Sequence, residues 1–269
     1  MRQLHPEPAG DTLLEARNLS FSYSRPVVQE FSLGLPPGKV TGLIGPNGSG
    51  KTTVLRLLDG ILRPTGGDVL LHGSVPLARL SRKEIARRIA MVPQNGGSYY
   101  YQSVFEFTMQ GRSPHLSLLG FESERDIDIV RDTLEMTCLS ALSHARVSEI
   151  SGGERQRLLL ARALAQQAEI LLLDELTANL DINYQVELMR LVRRITRERK
   201  LASLVVSHEI NLLASFCDWI VLMAEGKIFR QGPVAEAVTE ESLRGIFGLD
   251  FFVRRSATGP LEILPVLEP

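Results

Sequence analysis

Cysteine and aromatic residues are scarce in this 269-residue chain. Cys138 and Cys217 are its two cysteines, and Phe, Trp and Tyr together make up 6%. Two cysteines without metal-ligand spacing exclude a disulfide framework and a thiolate metal site; two reduced, mostly buried thiols are the expectation. Long apolar runs are absent as well. No stretch approaches the roughly 18 uncharged apolar residues of a membrane-spanning helix. The polar start from Met1 to Asp11, with Arg2, Glu7 and Asp11, lacks the apolar core of a secretory signal. An excess of one charge is also missing, since 30 Lys and Arg face 31 Asp and Glu for a net charge of −1. A protein gripping nucleic acid through its phosphates would be basic over at least one domain, so no nucleic-acid partner is expected. What remains is ordinary globular composition, 44% apolar and 23% charged, long enough for one large or two small domains.

The pattern along the chain alternates strands with helices, without internal repeats. Leu13–Ser22 and Val27–Leu35 read as strands joined by a short polar turn. Val40–Ile44 reads as a short strand, and a helix is expected from about Lys51 to Asp59, stopped at Gly60. Asp68–Leu71 and Ile89–Val92 are further strands. Between them Ser81, three before Glu84, opens a basic helix with a capping box. From Gln94 to Ile150 strand signals vanish, and Ser123 with Asp126 caps a helix through Met136. This stretch holds 8 acidic and 4 basic residues and reads as an inserted helical subdomain. Alternation then resumes: helix Gly152–Gln166, strand Ile170–Leu173, helix Ile182 to about Lys200, strand Ala202–Val206. A hairpin of Trp219–Ala224 with Lys227–Gln231, a helix near Glu240–Phe247 and a tail strand pair complete the reading. Apolar strands followed by helices imply an α/β fold with a mostly parallel, buried sheet.

Three segments carry chemistry. Gly45-Pro46-Asn47-Gly48-Ser49-Gly50-Lys51-Thr52 fits G-x-x-x-x-G-K-[ST] between a predicted strand and a helix, with Thr53 next on that helix. Its glycines let backbone N–H groups surround a phosphate, and the helix N-terminus adds favourable dipole charge. Lys51 would reach the β- and γ-phosphates, and the Thr52 hydroxyl would bind Mg²⁺. Leu171-Leu172-Leu173-Asp174-Glu175 is an apolar strand ending in two acids. Acids open many helices. Beside a phosphate loop, however, Asp174 would orient Mg²⁺ and Glu175 would act as general base on the attacking water. Ser151-Gly152-Gly153-Glu154-Arg155-Gln156-Arg157 starts a helix with a hydroxyl and glycines, a second anion-binding terminus without lysine. One nucleotide does not need two such cradles on one chain, so the second would serve a nucleotide held by another subunit.

Phosphate loop, signature segment and acidic strand, in this order, resemble the nucleotide-binding subunit of ABC transporters over about residues 12–248. The resemblance implies a P-loop ATPase core with an N-terminal antiparallel β region, made of residues 1–93 and 151–248. A helical signature subdomain would occupy 94–150, and 249–269 would be a short extension. It implies further roles. Tyr23 falls where an aromatic stacks on adenine. Gln94, after Met91-Val92-Pro93, resembles the glutamine that contacts Mg²⁺ and the attacking water. Asp181, in Ala178-Asn179-Leu180-Asp181, falls in the loop that crosses to the partner. His208, in Val205-Val206-Ser207-His208-Glu209, resembles the histidine that senses the γ-phosphate. Two departures stand out: Leu176 replaces the usual proline after the catalytic acid, and Glu154 the commoner glutamine.

The implied machine is a head-to-tail dimer sandwiching two ATP molecules, with Ser151, Gly152, Gly153 and Glu154 serving the other chain's nucleotide. Phe107-Thr108-Met109-Gln110-Gly111-Arg112-Ser113-Pro114-His115, the Leu180-Asp181-Ile182-x-x-Gln185 run and Leu243-Arg244-x-Ile246-Phe247-Gly248 are similar to the subfamily importing iron-siderophores, haem and cobalamin. That resemblance implies separate transmembrane permease subunits, an extracytoplasmic substrate-binding protein and a peripheral place on the cytoplasmic face of the membrane. Tyr99-Tyr100-Tyr101 departs from the pattern and is expected to help receive a membrane subunit. Other cargoes, such as molybdate, zinc or an exported substrate, remain alternatives. A soluble ABC protein acting on ribosomes or DNA would carry fused cassettes or a coiled coil. A P-loop kinase would need an acceptor site and lid, and would have no need of Ser151-Gly152-Gly153.

Overall fold

The computed structural model describes residues 11–94, 101–116, 121–255 and 261–266. The N-terminal strands β1 (Leu14–Ser22) and β2 (Pro26–Leu35) pair antiparallel. β3 (Lys39–Ile44) then enters a different sheet and ends at the glycine-rich turn before α1 (Lys51–Leu58). β4 (Gly66–Leu71) returns to pair antiparallel with β1, and the two-residue β5 (Val75–Pro76) completes a four-stranded sheet, β2-β1-β4-β5. α2 (Arg82–Ala86) begins at the expected Ser81–Glu84 capping box and leads to β6 (Ile89–Val92).

Among the described residues between 101 and 150 no strand occurs; a single bridge pairs Ser103 with Arg146. α3 (Val104–Met109), α4 (Glu124–Met136) and α5 (Gly152–Ala165) pack there around Phe107, Val130, Leu134 and Leu158. The buried Arg112 ties this region together. Its Nε donates to Asp126 Oδ1 at 2.8 Å, and its Nη1 to the Ala165 carbonyl at 2.7 Å and Gln167 Oε1 at 3.1 Å. Beyond it, Arg87 Nε donates to the Pro114 carbonyl at 2.9 Å, and His115 Nε2 lies 2.8 Å from the Gln166 carbonyl. The Gly111–His115 stretch is therefore a polar seam joining the helices to α2 and the end of α5.

β7 (Ile170–Asp174), α6 (Ile182–Glu198), β8 (Ala202–Val206) and α7 (Ile210–Phe216) follow, then the hairpin β9 (Trp219–Ala224) and β10 (Lys227–Pro233). The large sheet runs β10-β9-β3-β8-β7-β6, parallel throughout except for the β9–β10 pair. Every residue of β7 and β8 is buried, as expected of strands covered on both faces. Their alternation splits the core. Ile170, Leu172, Leu204 and Val206 pack with α1 and the small sheet, while Leu171, Leu173 and Val205 pack with α5 and α6.

α8 (Val234–Ala237) and α9 (Glu240–Phe247) close the main body. The tail pair is present: β11 (Phe251–Arg255) and β12 (Leu261–Pro265) form an antiparallel hairpin. The side chain of Asn211 on α7 grips it, donating to the Ile263 carbonyl and accepting from the Ile263 N–H, both at 2.9 Å. The expectation of two mostly buried thiols holds for Cys217 and fails for Cys138, which is exposed. Cys138 takes a left-handed φ of 58° in the turn after α4, which carries its side chain out of the core. Burial pushes the Cys217 thiol far up, so it stays protonated. Among the described residues no helix is long and apolar enough to cross a membrane.

Candidate active site

The sheet's parallel strands deliver their chemistry at one end. Gly45 follows β3 so closely against β9 that a Cβ there would lie 2.1 Å from the Met223 carbonyl oxygen. Gly50 adopts φ 102° immediately before α1, a left-handed position that glycine takes without steric cost. α1 has no side-chain cap and no acid in its first turn, whereas α2, α4 and α5 each carry a capping box. Its first N–H groups are thus left for an anion. Lys51 Nζ donates to the Gly45 carbonyl at 2.8 Å and the Pro46 carbonyl at 3.0 Å. An ammonium has three N–H donors, so one remains for a phosphate above the loop. Burial lowers the Lys51 pKa, and the charges of Glu175 and Asp174 oppose that shift. Asn47, Gly48 and Thr52 are exposed, Pro46 and Thr53 half-buried. The Ser49 hydroxyl is buried and has no hydrogen-bond partner among the described residues.

Asp174 ends β7 in the sheet and is 4% exposed. Burial and neighbouring Glu175 raise its pKa; a hydrogen bond with Thr52 and the charges of Arg56 and Lys51 pull it back. Thr52 and Asp174 are therefore together, as their expected shared role requires. Glu175 has φ 49°, an uncommon conformation for a side chain of this size, and its N–H donates to the Val206 carbonyl at 2.9 Å. Its carboxylate stands between two other candidates. Gln94 Nε2 donates to Oε2 at 2.5 Å, and His208 Nδ1 lies 3.7 Å from Oε1. Residues from three strand ends thus converge on one carboxylate. Leu176, in place of proline, is 2% exposed and packs into the core.

Tyr23 is 56% exposed, its ring set edge-on to Phe21 at 4.8 Å. Ser151 caps α5: its Oγ accepts from the Glu154 N–H at 3.3 Å and donates to Glu154 Oε2 at 2.7 Å. Gly152 is exposed, and a Cβ on Gly153 would meet the Tyr184 ring at 2.7 Å. Among the described residues no hydrogen bond or ion pair links this segment to the phosphate loop. Asp181 caps α6, accepting from Asn183 N–H at 3.0 Å and Tyr184 N–H at 3.2 Å. Tyr99 and Tyr100 lie outside the described residues; Tyr101 is exposed.

Two polar pairs emerge that sequence reading assigned no role. Gln185 donates to Glu209 at 2.6 Å, and Arg112 bonds Asp126. The first was detectable, because Gln185 shares a helical face with the buried Leu188, Met189 and Val192.

Residues 28–178 match the family described as ABC transporter. The chain belongs to that family. Iron(3+)-hydroxamate import ATP-binding protein FhuC of Bacillus subtilis is 35% identical over 238 residues, 88% of each chain. Hemin import ATP-binding protein HmuV of Bordetella pertussis is 36% identical over 260 residues, 93% of this chain and 98% of its own. Among solved structures, one described as an inward-facing metal-chelate type ABC transporter superposes with a TM-score of 0.84 at 26% identity, covering 96% of this chain and 98% of that one. ABC ATP-binding chains are ATPases coupled to transport, and the P-loop α/β fold expected here is the one found.

Proposed function

We propose that this chain is the ATP-hydrolysing subunit of an ABC importer of metal chelates, the class that takes in ferric hydroxamates, haem or cobalamin. The observation that carries the catalytic reading is Glu175 standing between Gln94 and His208, its charge acting on Lys51. The core would be 1–93 and 151–248, the helical signature subdomain 94–150, and the extension 249–269. Gly45 through Thr53 hold the triphosphate, and Tyr23 offers its exposed ring to adenine. Glu175 takes the proton of the attacking water, and Gln94, already bonded to it, orients that water. His208, on the other side of the carboxylate, meets the terminal phosphate. An all-oxygen set of Thr52 hydroxyl, Asp174 carboxylate and Gln94 amide oxygen suits Mg²⁺, which takes one or two carboxylates and fills its remaining positions with water and phosphate. When bound, that ion neutralises phosphate charge.

Ser151, Gly152 and Gly153 form a cradle away from this chain's own phosphate loop, which supports use on a second copy's nucleotide. Asp181 and the 64% exposed Ile182 beside it offer that copy a contact surface. ATP favours the closed dimer because it touches both surfaces only there. Separate permease subunits would hold the pair peripherally at the cytoplasmic face of the membrane, with an extracytoplasmic binding protein delivering the chelate. The cargo class rests on the importers that the relatives are. The test is Glu175→Gln in the permease-bound assembly: ATP stays bound in a stable dimer, while turnover falls by about two to four orders of magnitude. Unchanged hydrolysis overturns Glu175 as the base. Loss of chelate uptake on deleting this chain checks the cargo class; intact uptake of ferric hydroxamate, haem and cobalamin overturns it.

A further inference from the structure

Gln185 is 8% exposed on the apolar face of α6, where a leucine would pack without any polar cost. Its Nε2 donates to Glu209 Oε1 at 2.6 Å and reaches toward the Thr177 carbonyl at 3.4 Å. Both partners adjoin the candidate catalytic groups: Thr177 lies two residues after Glu175, and Glu209 directly follows His208. Glu209 is anchored in turn, its N–H donating to the buried Ser207 hydroxyl at 3.1 Å and its carbonyl accepting from Leu213 N–H at 3.1 Å in α7. The backbone is thus pinned on both sides of His208. The His208 side chain itself is 58% exposed, and its ring has the 3.7 Å approach to Glu175. Hydrogen bonds between an amide and a carboxylate are among the stronger polar contacts, and the short one here holds the Glu209 side chain against α6.

We propose that Gln185 is a positioning residue for His208, acting through Glu209. Buried and bonded to that carboxylate, Gln185 does not touch nucleotide; it sets the place from which His208 meets the terminal phosphate beside Glu175. The inference rests on the reading of Glu175 and His208 given above.

The test uses steady-state ATP hydrolysis by the permease-bound assembly, with Gln185→Leu, Gln185→Glu and the exchange Gln185→Glu with Glu209→Gln. Gln185→Leu lowers kcat by roughly ten- to a hundredfold and leaves KM for ATP within about twofold. Gln185→Glu does the same, because two carboxylates then face one another. The exchange restores an amide–carboxylate pair with the donor reversed and recovers most of the lost turnover, which also serves if Gln185→Leu does not fold. In a His208→Ala background, Gln185→Leu produces no further loss. Equal losses in both backgrounds, an exchange no better than its single changes, or full turnover in Gln185→Leu overturns the inference while leaving the catalytic reading intact. Turnover indifferent to Glu175→Gln overturns that reading, and the inference with it.

Discussion

Gln94 and Glu175 stand 81 positions apart in the chain and share a 2.5 Å hydrogen bond, the amide donating to the carboxylate. Gln94 follows β6 at the edge of the large sheet, and Glu175 follows β7 beside it. Parallel register between these strands brings the two residues together: Val92 pairs with Leu173. The contact therefore ties the end of β6 to the end of β7.

Gln94→Ala is expected to lower kcat by about one to two orders of magnitude, since it removes the Gln94 amide from the carboxylate and leaves the attacking water less well oriented. Nucleotide affinity should stay within about twofold, because Lys51 and the loop are untouched. Equilibrium binding of ATP and initial-rate hydrolysis, measured on the same preparation, separate these outcomes.

Strong acid should weaken the helical region. The Ser123 hydrogen bond, opposed by burial and reinforced by Arg112, draws the Asp126 carboxyl down to about 2 from 3.8. A carboxylate held below its unfolded value adds stability that is complete above about pH 4 and is lost as pH falls through about 2. With solvent screening this amounts to about 1–2 kcal/mol. Asp126→Asn should flatten the stability curve over that interval, as urea unfolding at a series of pH values will reveal.

Asp59 behaves in the opposite sense. Burial raises its carboxyl to about 6, against the pull of Arg82 at 3.9 Å. A carboxyl raised in the folded state costs stability as pH climbs from about 4 to about 6, and the penalty persists above that. Asp59→Asn should therefore stabilise the chain by about 2 kcal/mol near pH 8 and by almost nothing near pH 4. Melting temperatures at the two pH values distinguish this from a uniform packing effect.

The strands that build the parallel sheet were legible because buried strands are uninterrupted apolar runs; Ala202–Val206 and Ile89–Val92 have the bounds their residues suggest. Helix starts were legible where a hydroxyl and an acid stand three apart, as at Ser81 and Ser123. The same signal at Ser103 and Glu106 opens α3, a helix of six residues too short to display a period. α7, with seven residues, follows His208 without a side-chain cap. The candidate site is legible as a set of segments, since glycines, lysine and paired acids occupy fixed spacings. Its geometry is not, because contacts such as Gln185 with Glu209 join elements whose approach depends on the whole sheet. Local pattern likewise gave Arg112 as a motif letter; only packing shows it spanning from Asp126 to the end of α5.

Asn211 sits three residues beyond His208 yet pairs with Ile263. During synthesis, α7 leaves the ribosome with that amide bare, and it stays so until about fifty further residues have emerged. The last anchor of α7 is thus supplied by the far end of the chain, and a chain cut before Ile263 would leave that amide without its backbone partner.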